Sequence, residues 1–407
     1  MLFCVNGEAA RSNMNGSFEK FDKHAKDGAT LNVVFFGGSL TWGANASDPN
    51  VNSWRALMGQ YLQEKYPKAQ ILCHDAAIGG TGSDLGMFRL ERDVLNKTPD
   101  LVFLEYTVND DCWKDNEDIL FFYETILREL ISRGVAVEIV LLGVKDNYAQ
   151  TRYDSKEGKI VQCTLADSKR RVQHLKLADA YQTAVADTYP VIREQVKSGK
   201  INLEEIYCFE GTHPDNPGYK LFFEIAKRGF NDAVKEGSVC SVPTNSVFGT
   251  IYEDITRLCL RDIDLPKGWT VEKTFRTSAW FDGLSSRWME DVAVFDVKKS
   301  KKPIPLKLEF EGTFLGIFGE SGKNGLNFKV LVDGEVVKQV FKNSKTGEIT
   351  KKEVWNYNGM KSVGNLFVWR KIANDLKPGK HTLEIIPVIP EGTEKGQLRI
   401  ESICFAK

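Results

Sequence analysis

The chain has 407 residues, 42% hydrophobic and 27% charged, with a formal net charge of -1. That length suits two or three domains of ordinary size. The near-neutral balance sets up no overall field for nucleic acid or an anionic membrane, and no apolar run is long enough to span a bilayer.

Residues up to about Gly28 are polar and irregular. Asn32–Phe36 then reads as a strand buried on both faces, because its apolar residues are β-branched or aromatic and do not alternate with polar ones. Asn52-Ser53 can cap a helix with an apolar stripe at Trp54, Leu57, Met58, Tyr61 and Leu62, ended by Pro67. Ile71-Leu72-Cys73 is a second strand. It leads into Gly79-Gly80-Thr81-Gly82 and a helix carrying Leu85, Phe88, Leu90 and Val94. Leu101–Tyr106 is a third strand, Glu117–Ser132 a helix and Val135–Leu142 a fourth strand. A helix near Cys163–Gln173, a short strand near Leu175–Ala180, a helix over Thr183–Lys197 and a last helix over Pro217–Lys235 complete this part. Strands alternating with helices imply βαβ units, so residues 1–240 read as one α/β domain, a mainly parallel sheet with helices on both faces.

Ser238–Ser246 is small and polar, a plausible boundary. Beyond it come short alternating runs. Leu306–Phe310 alternates cleanly, and Phe328–Val332 meets Asp333-Gly334 and then Val336-Val337, a strong hairpin signal. Residues 246–407 therefore read as an all-β sandwich.

The eight cysteines (4, 73, 112, 163, 208, 240, 259 and 404) are scattered and form no CxxC pair. Buried free thiols in a reducing compartment are the favoured reading, and nothing resembles a zinc-ligand cluster. Met1–Gly7 lacks the basic segment and long apolar core of a secretion signal. The expected location is the cytoplasm, although a trimmed secreted chain would look the same.

Ser39 lies just past the carboxyl end of the first strand, where open α/β sheets bind ligands. It reads either as a helix cap or as a nucleophile, and a nucleophilic serine needs a base. Of the five histidines, His213 stands out, in the loop Phe209–Tyr219 that opens the last helix. It is a base for Ser39 or an ordinary loop histidine. Glu210, three residues earlier, can fold back onto one imidazole nitrogen and fix its tautomer, or remain solvated. Asp215 is a rival orienter that also suits the helix cap. Acyl transfer further needs donors for an oxyanion. The Gly79–Gly82 cluster offers backbone N–H groups or a phosphate cradle, and Asn109 offers a side-chain N–H or a turn residue.

Together the words Gly37-Gly38-Ser39-Leu40-Thr41, Ala76-Ala77-Ile78-Gly79-Gly80, Val108-Asn109-Asp110 and Glu210-Gly211-Thr212-His213-Pro214 resemble, in order, the blocks of the SGNH hydrolase superfamily, also called the GDSL esterases and lipases. The resemblance covers about residues 30–235. It implies a flavodoxin-like three-layer sandwich, Ser39 as nucleophile, His213 as base, and Ser39, Gly80 and Asn109 as oxyanion donors, with no metal or cofactor. One departure is Glu210, where the family usually has Asp. The longer side chain can still orient His213, or the site can run as a Ser–His dyad assisted by a backbone carbonyl.

Trp42, Asn45, Asp110, Asp111 and Trp113 follow the site motifs and are expected at the pocket rim, where mixed aromatic and polar residues suit sugars better than long acyl chains, unless Trp42 and Trp113 simply pack loops. The β part holds Trp269, Trp280, Trp288, Trp355 and Trp369. Trp280-Phe281, and Trp355 with Tyr357, are candidate sugar platforms or core residues. The combination is similar to bacterial carbohydrate O-acetylesterases, which implies an acetylated oligosaccharide substrate, mannan or xylan type, and leaves room for a homodimer. The other readings are a lipid or acyl-thioester hydrolase, and a glycan-binding protein with a degenerate esterase domain.

Overall fold

A computed structural model of the chain describes residues 15–111, 118–154, 157–275, 289–342, 346–357 and 366–407. Trp113, Trp280, Phe281 and Trp288 lie outside these residues. The chain divides into two compact units, one ending at Ile251 and the other beginning at Tyr252.

The first unit is built on a parallel sheet of β1 (Thr30–Gly37), β2 (Gln70–Ala77), β3 (Leu101–Glu105), β4 (Ala136–Leu141) and β7 (Ala184–Asp187), ordered β2-β1-β3-β4-β7. A separate hairpin, β5 (Thr151–Asp154) with β6 (Lys159–Gln162), follows β4. The helices are α1 (Phe18–Lys26), α2 (Ser39–Trp42), α3 (Trp54–Lys65), α4 (Ser83–Asp93), α5 (Thr107–Asp111), α6 (Ile119–Ser132), α7 (Lys145–Tyr148), α8 (Lys169–Tyr181), α9 (Thr188–Lys197) and α10 (Asn216–Glu236). Helices α1, α3 and α10 form one group and α4, α6 and α8 another, covering the two faces. With both faces covered, β1, β3 and β4 carry almost only buried residues, as their apolar runs require. Phe35 of β1 stacks on Phe103 of β3 at 5.0 Å, and Trp54 of α3 meets Phe35 edge-on at 5.5 Å. Each such pair adds about 0.5–1.5 kcal/mol beyond its buried area and locks β1 to β3.

Register sets the site. Gly37 pairs with Ala77 on one side and Glu105 on the other, so β2, β1 and β3 end level. The three loops that follow emerge side by side where the strand order reverses, the usual ligand crevice of such sheets.

Several sequence expectations are corrected. The polar leader contains α1, whose Phe18 and Phe21 pack edge-on against Phe230 of α10. Leu175–Ala180 is not a strand but the middle of α8, because His174, Leu177, Ala178 and Tyr181 form a buried helical stripe. The strand falls instead at β7, where Ala184 and Ala186 are buried. The stretch read as a boundary is tied to the first unit: Ser241 N donates to Tyr181 O, Arg128 donates to Pro243 O, and Val247 and Phe248 amides donate to Glu124. Cys73 and Cys208 are exposed rather than buried.

The second unit is a sandwich of antiparallel sheets. Its strands are β8 (Thr256–Cys259), β9 (Trp269–Glu272), β10 (Val292–Asp296), β11 (Leu306–Glu311), β12 (Phe314–Ser321), β13 (Asn327–Val332), β14 (Glu335–Val337), β15 (Gln339–Lys342), β16 (Ile349–Lys352), β17 (Val354–Trp355), β18 (Leu366–Ala373), β19 (Lys380–Val388) and β20 (Gln397–Ala406). One sheet runs β18-β12-β20-β10-β9 and the other β11-β19-β13-β14; Phe295, Ile317 and Ile400 of the first share a core with Phe328, Val330 and Ile385 of the second. The Asp333-Gly334 turn takes positive φ at both residues, 52° and 82°, as a tight hairpin between β13 and β14 requires. Trp355 and Tyr357 are core residues, not exposed platforms: Trp355 Nε1 donates to Val337 O and the Tyr357 hydroxyl to Arg399 O.

Candidate active site

Ser39 opens α2, directly after Gly37-Gly38, so its N–H has no intrahelical acceptor and its side chain stands at the carboxyl end of β1. The Ser39 Oγ lies 2.7 Å from His213 Nε2, and His213 Nδ1 lies 2.5 Å from Glu210 Oε1. The carboxylate fixes the tautomer: Nδ1–H donates to Glu210, leaving Nε2 to accept from the Ser39 hydroxyl. Ser39 and His213 are 7% and 9% exposed.

Glu210 does more than face the imidazole. Its Oε1 also accepts from the His213 amide at 2.7 Å, and its Oε2 from the Thr212 amide at 2.7 Å. Burial pushes the Glu210 carboxyl up, but these amides and the His213 ring hold it below the usual range. Burial pulls His213 below its ordinary value, against the opposing pull of Glu210, so the imidazole is neutral and basic near pH 7. The rival, Asp215, occupies the N-cap position of α10 but makes no cap bond there; its Oδ2 accepts from the Cys208 amide at 2.8 Å, which folds the histidine loop.

The segment after Ser39 is laced onto that loop. The Tyr219 hydroxyl donates to Ala44 O, Asn45 Nδ2 donates to Glu210 Oε1 and His213 O, and Ser47 N donates to Asn216 Oδ1. Asn45 takes φ +68°, a left-handed conformation that asparagine tolerates. It therefore acts inside the site, holding Glu210 and His213, rather than at the rim.

On the opposite side, Asn109 in α5 lies against Gly38, where any Cβ would collide with its Oδ1. Gly80 follows β2 at φ +75° in an exposed turn. Asp110, expected at the rim, is fully buried: it turns inward, and its Oδ1 accepts from the Ser83 amide at 2.8 Å, fastening the Gly80 turn to the Asn109 segment. Trp42 is partly exposed at the end of α2. Phe209 is 78% exposed immediately before Glu210. Its place beside the Glu210 motif was visible in the sequence, but its exposure was not. Among the described residues no group of three or more His, Cys, Asp or Glu side chains could hold a metal ion.

A serine, a neutral histidine and an orienting carboxylate in line, with amide donors beside the serine, make an acyl-transfer site. Residues 35–221 match the model of the GDSL-like lipase/acylhydrolase family. The α/β unit belongs to that family. The chain thus carries a GDSL-type ester hydrolase unit followed by a β-sandwich that the family match does not reach. No curated protein sequence matches it. Among solved structures, a two-domain esterase (CEX) active on acetylated mannans, co-crystallised with mannopentaose, is similar at TM-score 0.71 and 20% identity, covering 100% of this chain and 99% of that one. A second structure described as that two-domain esterase, without the mannopentaose, gives TM-score 0.68 at 20% identity over 97% of this chain and 98% of its own. These likenesses extend the shared fold beyond the GDSL unit to the β-sandwich.

Proposed function

We propose that the chain is a serine esterase that removes O-acetyl groups from acetylated oligosaccharides of mannan or xylan type. The observation that carries this reading is the continuous line from Ser39 Oγ through His213 to Glu210 beside Gly38 and Asn109. The choice of an acetylated glycan is supported by the full-length likeness to an esterase active on acetylated mannans.

In the reaction, Ser39 Oγ attacks the acetyl carbonyl carbon while its proton passes to His213 Nε2. The Ser39 and Gly80 amides and the Asn109 side chain donate to the oxyanion. His213 returns the proton to the departing sugar oxygen, which leaves acetyl-Ser39 and a free hydroxyl. Water then attacks the acyl carbon, its proton moves to His213, and collapse releases acetic acid as the proton returns to Ser39.

The test is hydrolysis of 4-nitrophenyl acetate, butyrate and octanoate, and acetate release from acetylated manno- and xylo-oligosaccharides, by the native chain and Ser39→Ala. Fast acetate turnover that falls with chain length and vanishes in the variant is expected. A preference for octanoate would turn the reading to lipid esters. Glycan binding without turnover would turn it to a binding protein.

A further inference from the structure

Glu105 ends β3 after four apolar residues, and none of its side chain reaches solvent. A carboxylate so placed is neutralised or held by donors. Here Thr41 Oγ1 donates to Glu105 Oε2 at 3.1 Å, and the amides of Gly38, Thr107 and Val108 favour its charged form. Among the described residues Oε1 has no hydrogen-bond partner of ordinary geometry. The carboxylate therefore gathers these donors through its charge as much as through individual bonds.

The four donors come from two separate segments. Gly38 and Thr41 bracket Ser39, whose amide is one oxyanion donor. Thr107 and Val108 immediately precede Asn109, another donor. The spacing between these donors depends on what ties α2 to α5, and Glu105 sits at that joint. The backbone is equally close there, since a Cβ on Gly37 would collide with Glu105 O.

The geometry points to Glu105 as a positioning residue that holds the Ser39 amide and the Asn109 side chain on one oxyanion position; this role rests on the esterase reading above. Burial raises the Glu105 carboxyl to about 7, against the pull of Thr41, Gly38, Thr107 and Val108. Tyr123 of α6, Tyr148 of α7, Tyr189 of α9 and Tyr219 of α10 all feel its charge, and all are kept neutral by burial. Below about pH 7 the carboxyl gains a proton and loses the charge that gathers the amides. The acid limb of kcat then reports Glu105 as well as His213, whose own titration is displaced below its ordinary value of 6.5.

The experiment is kcat and KM for 4-nitrophenyl acetate across the pH range for the native chain, Glu105→Gln and Thr41→Val, with circular dichroism and thermal melting as folding controls. Loss of one oxyanion donor costs about a hundred- to a thousandfold in kcat, so displacement of a donor in Glu105→Gln should cost roughly ten- to a hundredfold. KM should stay within about threefold, the signature of an interaction made in the transition state. The acid limb of Glu105→Gln should move to lower pH, where only His213 titrates. Thr41→Val should lose roughly three- to tenfold in kcat and move the acid limb to higher pH, because it removes a bond that holds the Glu105 carboxyl down. A folded Glu105→Gln with native kcat and acid limb overturns the role. If that variant does not fold, an unchanged kcat in Thr41→Val overturns it instead. No turnover of any ester by the native chain refutes the esterase reading and this role with it, whereas turnover with unaltered variants refutes the role alone.

Discussion

Replacing Glu210 tests the least usual member of the site. In Glu210→Gln the side chain keeps its length but loses its charge, and an NH2 group replaces one of two oxygens that both accept, Oε1 from the His213 ring, the His213 amide and Asn45, and Oε2 from the Thr212 amide. With oxygen toward Nδ1 the imidazolium loses the charge that stabilises it; with NH2 toward Nδ1 the imidazole proton moves to Nε2, which can no longer accept from Ser39 Oγ at 2.7 Å. The wrong tautomer in such a triad costs about three to four orders of magnitude in kcat, equivalent to about 4–5.5 kcal/mol at 1.36 kcal/mol per decade. Glu210→Asp keeps the charge but withdraws it by one carbon, about 1.5 Å. The 2.5 Å contact then opens to about 4 Å, beyond hydrogen-bond reach. The aspartate should therefore fall between the native chain and the glutamine, losing roughly ten- to a hundredfold. Steady-state hydrolysis of 4-nitrophenyl acetate, with active-site titration to count competent enzyme, measures the series. A Glu210→Gln chain within about tenfold of native kcat, on a native pH profile, would refute the reasoning and leave a Ser–His dyad in its place.

Two other outcomes follow from the same geometry. On the proposed mechanism Asn109→Ala takes away one oxyanion donor and should lower kcat about a hundred- to a thousandfold with little change in KM, read in the same assay. Glu138 in β4 is fully buried, neither of its oxygens has a hydrogen-bond partner among the described residues, and burial raises its carboxyl well above 4.5. The folded state keeps that proton longer than the unfolded chain, so its stability is intact below about pH 4.5 and falls as pH rises. Glu138→Gln does not titrate; in urea melts its unfolding free energy should exceed the native one by a margin that widens as pH rises above about 4.5, by up to about 1.4 kcal/mol per pH unit, and parallel curves would refute the assignment.

Strands β1, β3 and β4 were legible because their runs are almost wholly apolar, and the Asp333-Gly334 hairpin because its turn chemistry is specific. Leu175–Ala180 misled because a short Leu/Ala stretch suits either state, and only packing of His174, Leu177 and Tyr181 decides for the helix. The four motifs were legible as words, and the fold brings the loops that carry Ser39, Asn109 and His213 together. Their neighbours were harder. Asp110 looked like a rim residue, since a polar side chain next to a site motif gives no hint that it turns inward to the Ser83 amide. Glu105 did carry a visible signal, a charge closing an otherwise apolar strand. Its four donors, however, come from residues 38–41 and 107–108, and pairings across such separations are made only by the fold.

The Asp110 bond to Ser83 has a bearing on how this scaffold can diversify. It couples the loops after β2 and β3, while Asn109 is wedged on Gly38 beside the nucleophile. Three loops thus form one stiff jaw that accepts substitution poorly. The exposed apolar side chains lie elsewhere: Phe209 of the histidine loop is 78% exposed, and Tyr153 and Ile160 of the β5–β6 hairpin are 67% and 72% exposed. Substitutions among descendants of this chain should accumulate at such exposed positions, with the stiff jaw inherited intact.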